Sequence, residues 1–496
     1  MRRFTVALLA AVLTLGFTPS AHAADRPEPG TLAYLVEDVG LMAQAYGRIT
    51  GPGGQLNNPN YLPALVEQGA QVNISQLITM AASPTRLSLT AGALVPGWNT
   101  GNPLRAGWDG TRGIETPVSF TNRYGALLRG TVYSPLPGAS DPYTGEALTG
   151  PFPGVVLTPG SVQGSGNMYE WLGQDLAERG YIVLVYDVQG QGMSETLPHE
   201  TNSDLPFCFP LAPAKELEML GCPGVPFQQP ANFVYGTLDA TDFFFSTPDE
   251  PYANPNKASA DVDAFNPLWD QFDRRPLDHE TAPGRSTRFA IIGHSLGAAA
   301  VSRVQGEDPR VSTVVALDKL QQSGSGPLDV GEVTPTVPAL GIQSVYGFTV
   351  MPYLLSGGSI IPAPAPSTGP DPARERATGY DAWTEAGLDA MVVVPRASTH
   401  LEYTDIPLVL PASRYGQALA SVYTQAWLDH WLKGAPIDPL TADSWTYLEP
   451  TGRGAWSAVT LDRSELLSNR YCSAYSLHDG GSAETDGDIT GAGCSD

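Results

Sequence analysis

The apolar and polar positions of the chain fall into two regular patterns. Residues 154–158 (Gly-Val-Val-Leu-Thr), 181–187, 289–293, 311–318, 337–344 and 388–394 are short, nearly unbroken apolar runs rich in β-branched side chains. Runs of this length predict strands buried on both faces, which is the signature of a parallel sheet covered by helices. Residues 169–179 and 414–433 instead carry apolar positions at helical spacing and stop at Gly180 and Gly434, where a chain commonly leaves a helix. Strand 154–158, helix 169–179 and strand 181–187 make a right-handed parallel crossover. Residues 118–121 and 127–133 flank Asn122-Arg123-Tyr124-Gly125 as a hairpin. The fold class that follows is α/β, with a mostly parallel central sheet and helices on both faces.

The remaining segments frame that body. Residues 30–49 and 61–94 have helix-compatible spacing broken by Gly51-Pro52-Gly53-Gly54, so 24–115 reads as an N-terminal helical extension and 116–440 as the main domain. Residues 195–287, rich in Pro and Asp with one clear helix near 235–245, read as an insertion of the kind that surrounds a pocket. The apolar, proline-rich stretch 351–370 follows a core strand and reads as a pocket wall or lid. Residues 441–496 read as a tail with an acidic, glycine-rich end; Glu484, Asp486 and Asp488 lack the spacing of an EF-hand loop.

Composition adds a destination. Met1-Arg2-Arg3, an apolar run over 4–17 and then Ala21-His22-Ala23 have the three regions of a secretory signal peptide spanning 1–23, with cleavage expected after Ala23. That run is too short to anchor the chain in a membrane. The balance of 27 basic and 51 acidic residues, −24, becomes 25 − 51 = −26 once Arg2 and Arg3 are removed. So acidic a surface repels nucleic acid and anionic membranes. The four cysteines lie as two local pairs, Cys208 with Cys222 and Cys472 with Cys494. For an exported chain this predicts disulfides, local pairing being the simplest of the three possible connectivities, and neither pair has zinc spacing.

The candidate chemistry lies at 289–300, Phe-Ala-Ile-Ile-Gly-His-Ser-Leu-Gly-Ala-Ala-Ala. An apolar strand breaks at a glycine and resumes as a helix of small residues, with Ser295 at the break inside Gly-x-Ser-x-Gly, the pattern of a nucleophile elbow. The serine stands at the tip of the turn. The N–H of Leu296 and the positive end of the following helix flank the space where negative charge develops in acyl transfer. Residues 187–194, Asp-Val-Gln-Gly-Gln-Gly-Met-Ser, do not fit the dinucleotide fingerprint Gly-x-Gly-x-x-Gly. Neither an organic cofactor nor a metal is expected.

Strand order, elbow and the order Ser…Asp…His resemble the α/β-hydrolase fold. Within it, the chain is most similar to the platelet-activating-factor acetylhydrolase-like esterases, and more distantly to bacterial cutinase-like polyester hydrolases. The likeness covers residues 117–433 and rests on Gly293-His294-Ser295-Leu296-Gly297, Val315-Ala316-Leu317-Asp318 and Ser398-Thr399-His400. It implies Ser295 as nucleophile, Asp318 as the acid and His400 as the general base. The oxyanion hole would be the backbone N–H groups of Leu296 and Ser161, the latter after the Pro159-Gly160 turn. The family's second glycine after the elbow is Ala298 here, and the aromatic residue of the polyester hydrolases' oxyanion loop is Ser161.

Residues 333–370 contain no Asp or Glu, so the acid position many such enzymes use is empty and Asp318 takes the role. Asp329, Asp371 and Asp381 remain as alternatives, as do His199, His279 and His478 for the base, while His294 and His430 are placed where neither easily faces Ser295. The implied function is secreted hydrolysis of carboxylic esters, lipid-like or short-acyl, with transfer to another acceptor, cutin-type polyester cleavage and a non-catalytic binding protein as the other readings.

Overall fold

The computed structural model describes residues 27–82, 91–161, 164–196, 230–322, 329–356, 369–408, 411–479 and 482–494. The expected signal peptide at 1–23, the pair Cys208 and Cys222, His199 and most of 351–370 lie outside these residues.

Twelve strands are described: β1 (Gly113–Thr121), β2 (Leu127–Pro135), β3 (Gly154–Thr158), β4 (Ile182–Tyr186), β5 (Phe289–His294), β6 (Thr313–Leu317), β7 (Ala339–Ile342), β8 (Ala390–Val393), β9 (Ser444–Gly452), β10 (Ala455–Asp462), β11 (Ala474–Asp479) and β12 (Ser482–Asp486). Ten of them form one sheet in the order β1-β2-β4-β3-β5-β6-β7-β8-β11-β12. From β4 to β8 every neighbouring pair is parallel. The flanking pairs β1–β2, β2–β4, β8–β11 and β11–β12 are antiparallel. Every residue of β3 through β8 is buried, as the unbroken apolar runs require.

Alternation along the strands sends side chains to two separate cores. Val155, Leu157, Ala290 and Ile292 point to one face, where they meet Trp171 and Leu172 of helix α3 (Glu170–Ala177) and Trp427 and Leu428 of α7 (Gly416–Lys433). Val156, Phe289 and Ile291 point to the other, against α4 (Pro230–Phe245), α5 (Leu296–Glu307) and α6 (Tyr380–Glu385). Gly434 ends α7 in the left-handed region, at φ 73°. Helix α4, the one the sequence places in the insertion, is part of this second core.

The extension contributes α1 (Leu32–Gln44), followed by a helical turn at Gly47–Thr50, and α2 (Tyr61–Ala82). One of its anchors is Arg48. The guanidinium donates to the carbonyl oxygens of Thr404, at 2.9 Å, and Glu402, and pairs with the Glu402 carboxylate at 3.2 Å.

The chain beyond 441 is more than a tail. β9 and β10 form a separate hairpin, and β11 and β12 extend the main sheet beyond β8. Glu484 and Asp486 sit on the outermost strand, where charge keeps an open edge from pairing with another chain. A disulfide joins Cys472 and Cys494 around these two strands. No helix among the described residues is long and apolar enough to cross a membrane.

Candidate active site

The glycines of the elbow are fixed by close backbone packing. A Cβ on Gly293 would lie 2.1 Å from the carbonyl oxygen of Gly297, and one on Gly297 would lie 2.3 Å from that of Thr158. Helix and strand therefore approach at backbone distance, and Ser295 between them is driven to φ 57°, ψ −121°, a region that side chains other than glycine rarely occupy. Strain of this kind persists where the surroundings over-determine it, and it leaves the hydroxyl standing clear of both elements. The Ser295 N–H is held by the carbonyl of Leu317 at 3.0 Å.

Three sheet loops converge on that hydroxyl. His400, on the loop after β8, has Nε2 2.8 Å from Ser295 Oγ and Nδ1 2.6 Å from Asp318 Oδ2. Asp318 follows β6 at φ 41°, and its other carboxylate oxygen accepts from the Ser344 N–H at 3.1 Å. Burial by itself would raise the Asp318 pKa, but the hydrogen bond and charge of His400 outweigh it and bring the pKa down to about 2. The carboxylate is then ionised and only accepts, so His400 Nδ1 carries the proton and Nε2 is left to accept from Ser295. This arrangement can move a proton from the hydroxyl to the ring and return it to a leaving group.

The loop bearing His400 is fixed from several sides. The His400 N–H donates to Gly347 O at 3.1 Å, Ser344 Oγ donates to Thr399 O at 2.8 Å, and the Val345 N–H donates to Ser398 Oγ at 3.1 Å. Phe348, 43% exposed, rests its ring 4.3 Å from that of His400. Two residues past His400, the fully buried Glu402 accepts from the N–H and Oγ of Ser413, both at 2.9 Å, in addition to its pairing with Arg48. Burial raises its pKa, with Arg48 and Ser413 acting against that rise.

Replacing Arg48 with Met would leave this carboxylate buried without its cation. Arg48→Met is expected to lower the unfolding free energy by about 3–5 kcal/mol, the usual penalty for half of a buried pair. Denaturant titration checks it. A loss below about 0.5 kcal/mol, the range of surface substitutions, would mean that the pair holds nothing.

The other sequence candidates lie apart from Ser295. His430 bonds the carbonyl of Ala435, His478 pairs with Asp389, and His279 is exposed. Asp329, Asp371 and Asp381 are engaged by the Gly331 N–H, the Ala373 N–H and Arg376, respectively. Of the two backbone groups assigned to the oxyanion hole, Leu296 opens α5, where no earlier helical carbonyl reaches its N–H. Ser161 follows Gly160, and a Cβ on Gly160 would lie only 2.9 Å from Ser295 Cβ, so the two loops touch.

Sequence reasoning missed two contributions. The extension supplies Arg48 and also α2, which lines a cavity of about 270 Å³ through Val72 and Gln76. The opposite wall comes from Ser165 and Asn167 after β3 and Met193 after β4, at the carboxyl edge of the sheet that also carries Ser295. His294, for its part, sends its ring into a buried hydrogen-bond chain. Nothing in the local sequence signals either, because every partner is distant along the chain. Among the described residues no group of three or more His, Cys, Asp or Glu side chains could hold a metal ion.

No family model and no curated protein matches the chain. Among solved structures it is similar to a ferulic acid esterase from Streptomyces cinnamoneus, at 19% identity and a TM-score of 0.36, over 65% of this chain and 90% of that one.

Proposed function

We propose that the protein is a secreted serine hydrolase of the α/β-hydrolase fold that cleaves carboxylic esters through an acyl-enzyme. The observation that carries this reading is the continuous hydrogen-bond chain Ser295–His400–Asp318 at the carboxyl edge of a parallel sheet, with the serine on a strained strand-to-helix turn. His400 takes the hydroxyl proton as Ser295 attacks the ester carbonyl. The oxyanion forms against the N–H groups of Leu296 and Ser161, and the proton passes to the departing alcohol. Water then repeats the sequence on the acyl-enzyme. Asp318 keeps His400 in the accepting tautomer and stabilises the imidazolium. Residues 1–23 direct export and 116–440 form the catalytic body. The exposed Phe348 beside His400 supports an ester with apolar groups, lipid-like or short-acyl.

A fluorophosphonate probe tests the reading directly. Labelling of the folded protein at Ser295, with hydrolysis of nitrophenyl esters, is the expected result. A folded protein that neither labels nor hydrolyses any chain length would be a binding protein on this scaffold instead.

The depressed pKa of Asp318 sets a pH dependence. Its pKa is about 2 in the folded chain against the ordinary 3.8, so its ionisation adds stability that is complete above the higher value and is lost as pH falls through the lower. Between about pH 4 and pH 2 the wild type should therefore lose about 2 kcal/mol more than Asp318→Asn. Parallel stability curves for the two proteins would contradict this.

A further inference from the structure

The ring of His294 is fully buried and makes two hydrogen bonds. Nε2 lies 2.8 Å from the carbonyl oxygen of His400, and Nδ1 lies 2.7 Å from the hydroxyl of Tyr169, itself fully buried on the turn before α3. The same hydroxyl receives the Gly160 N–H at 2.9 Å. Burial, and secondarily the charge of His400, hold the His294 pKa down at about 3, so the ring is neutral and carries a single proton. A carbonyl oxygen only accepts, which puts that proton on Nε2 and leaves Nδ1 as an acceptor. Tyr169 must then donate to Nδ1 while its oxygen accepts from Gly160. Every donor in the chain has one direction.

The chain joins three loops. Gly160 precedes Ser161 on the loop after β3, His294 precedes Ser295 at the end of β5, and His400 stands on the loop after β8. The packing leaves little slack, since a Cβ on Gly160 would lie 2.8 Å from His294 Nδ1. A satisfied core histidine would need partners, but not partners in both the base and the oxyanion loop.

We propose that His294 and Tyr169 are positioning residues, and that the buried path Gly160 N–H to Tyr169 OH to His294 to His400 C=O sets the spacing between the general base and the oxyanion donors. This rests on the serine-hydrolase reading. Its consequence is confined to the reacting state, because the oxyanion and the imidazolium exist together only in the tetrahedral intermediate and the transition states that flank it. Loss of the path should lower kcat and leave KM nearly unchanged.

The test compares Tyr169→Phe, His294→Leu and His294→Gln with wild type on a short nitrophenyl ester, with competent sites counted by fluorophosphonate titration and folding followed by thermal unfolding. Tyr169→Phe and His294→Leu are expected to lose on the order of 10²-fold in kcat per titrated site, with KM within about twofold. His294→Gln, whose planar amide offers one donor and one acceptor, is expected to recover about tenfold of that loss. A purely structural role predicts lowered melting temperatures with wild-type kcat per titrated site, and that result overturns the proposal. Tyr169→Phe deletes one oxygen, so it carries the test if His294→Leu does not fold. Failure of Tyr169→Phe to fold would also count against the proposal. Ser295→Ala separates the two levels: if it retains turnover, the triad reading fails, whereas if it is inactive and the positioning variants are not impaired, this inference alone fails.

Discussion

Ser295→Ala is expected to lower kcat for ester hydrolysis by about 10⁴ to 10⁶-fold with little change in stability. The size follows from chemistry. Without the hydroxyl no acyl-enzyme forms, and the remaining rate comes from whatever the oxyanion donors and substrate binding supply to water attack. Stability should hold because alanine keeps the Cβ, and the strained backbone at φ 57° is imposed by Gly293, Gly297 and Thr158 rather than by the oxygen that is lost. His400 Nε2 loses one partner but keeps Asp318 on Nδ1. Turnover and fluorophosphonate labelling of the purified variant check the outcome. A variant that labels or turns over like the wild type would remove Ser295 from the mechanism.

The second large effect is at Asp318, where Asn is expected to cost on the order of 10⁴ in kcat, by analogy with serine-protease triads. Asp318 accepts from His400 Nδ1–H and from the Ser344 N–H, one on each oxygen. An amide at that position can satisfy only one of the two as an acceptor and turns its NH₂ toward the other. If the NH₂ faces Nδ1, the ring shifts its proton to Nε2 and can no longer accept from Ser295. The comparison that decides it runs Asn variants of Asp329, Asp371 and Asp381 alongside. Those three carboxylates bond the Gly331 N–H, the Ala373 N–H and Arg376, and their variants should keep most of the activity. If one of them abolishes turnover while Asp318→Asn retains it, the acid has been misassigned.

Legibility in the sequence varied with the distance over which each feature is encoded. The elbow could be read because its causes lie within a few residues: an apolar strand, glycines at 293 and 297, and small side chains for close helix packing. Asp318 ends a recognisable apolar run and His400 lies on the loop after another, so a parallel sheet puts both at its carboxyl edge, while their roles came from the family resemblance. Their contact with Ser295 could not be read, since it depends on neighbouring strands and on the conformation of three loops. The chain after 441 was misjudged for a similar reason. Taken alone, Ala474–Asp479 is a short polar-apolar stretch, and its place in the main sheet comes from the free edge of β8.

The sequence by itself determined the α/β class, the buried strands, the stop of α7 at Gly434 and the elbow, all of which depend on periodicity, glycine placement and excluded volume over a turn or a strand. Tertiary structure alone decided what surrounds and steadies the candidate site. Arg48 reaches Glu402 across 354 residues of chain, and Tyr169 reaches His294 across 125. Burial at these places converts ordinary side chains into obligate hydrogen-bonding groups, and whether a side chain is buried is set by what the folded chain brings over it.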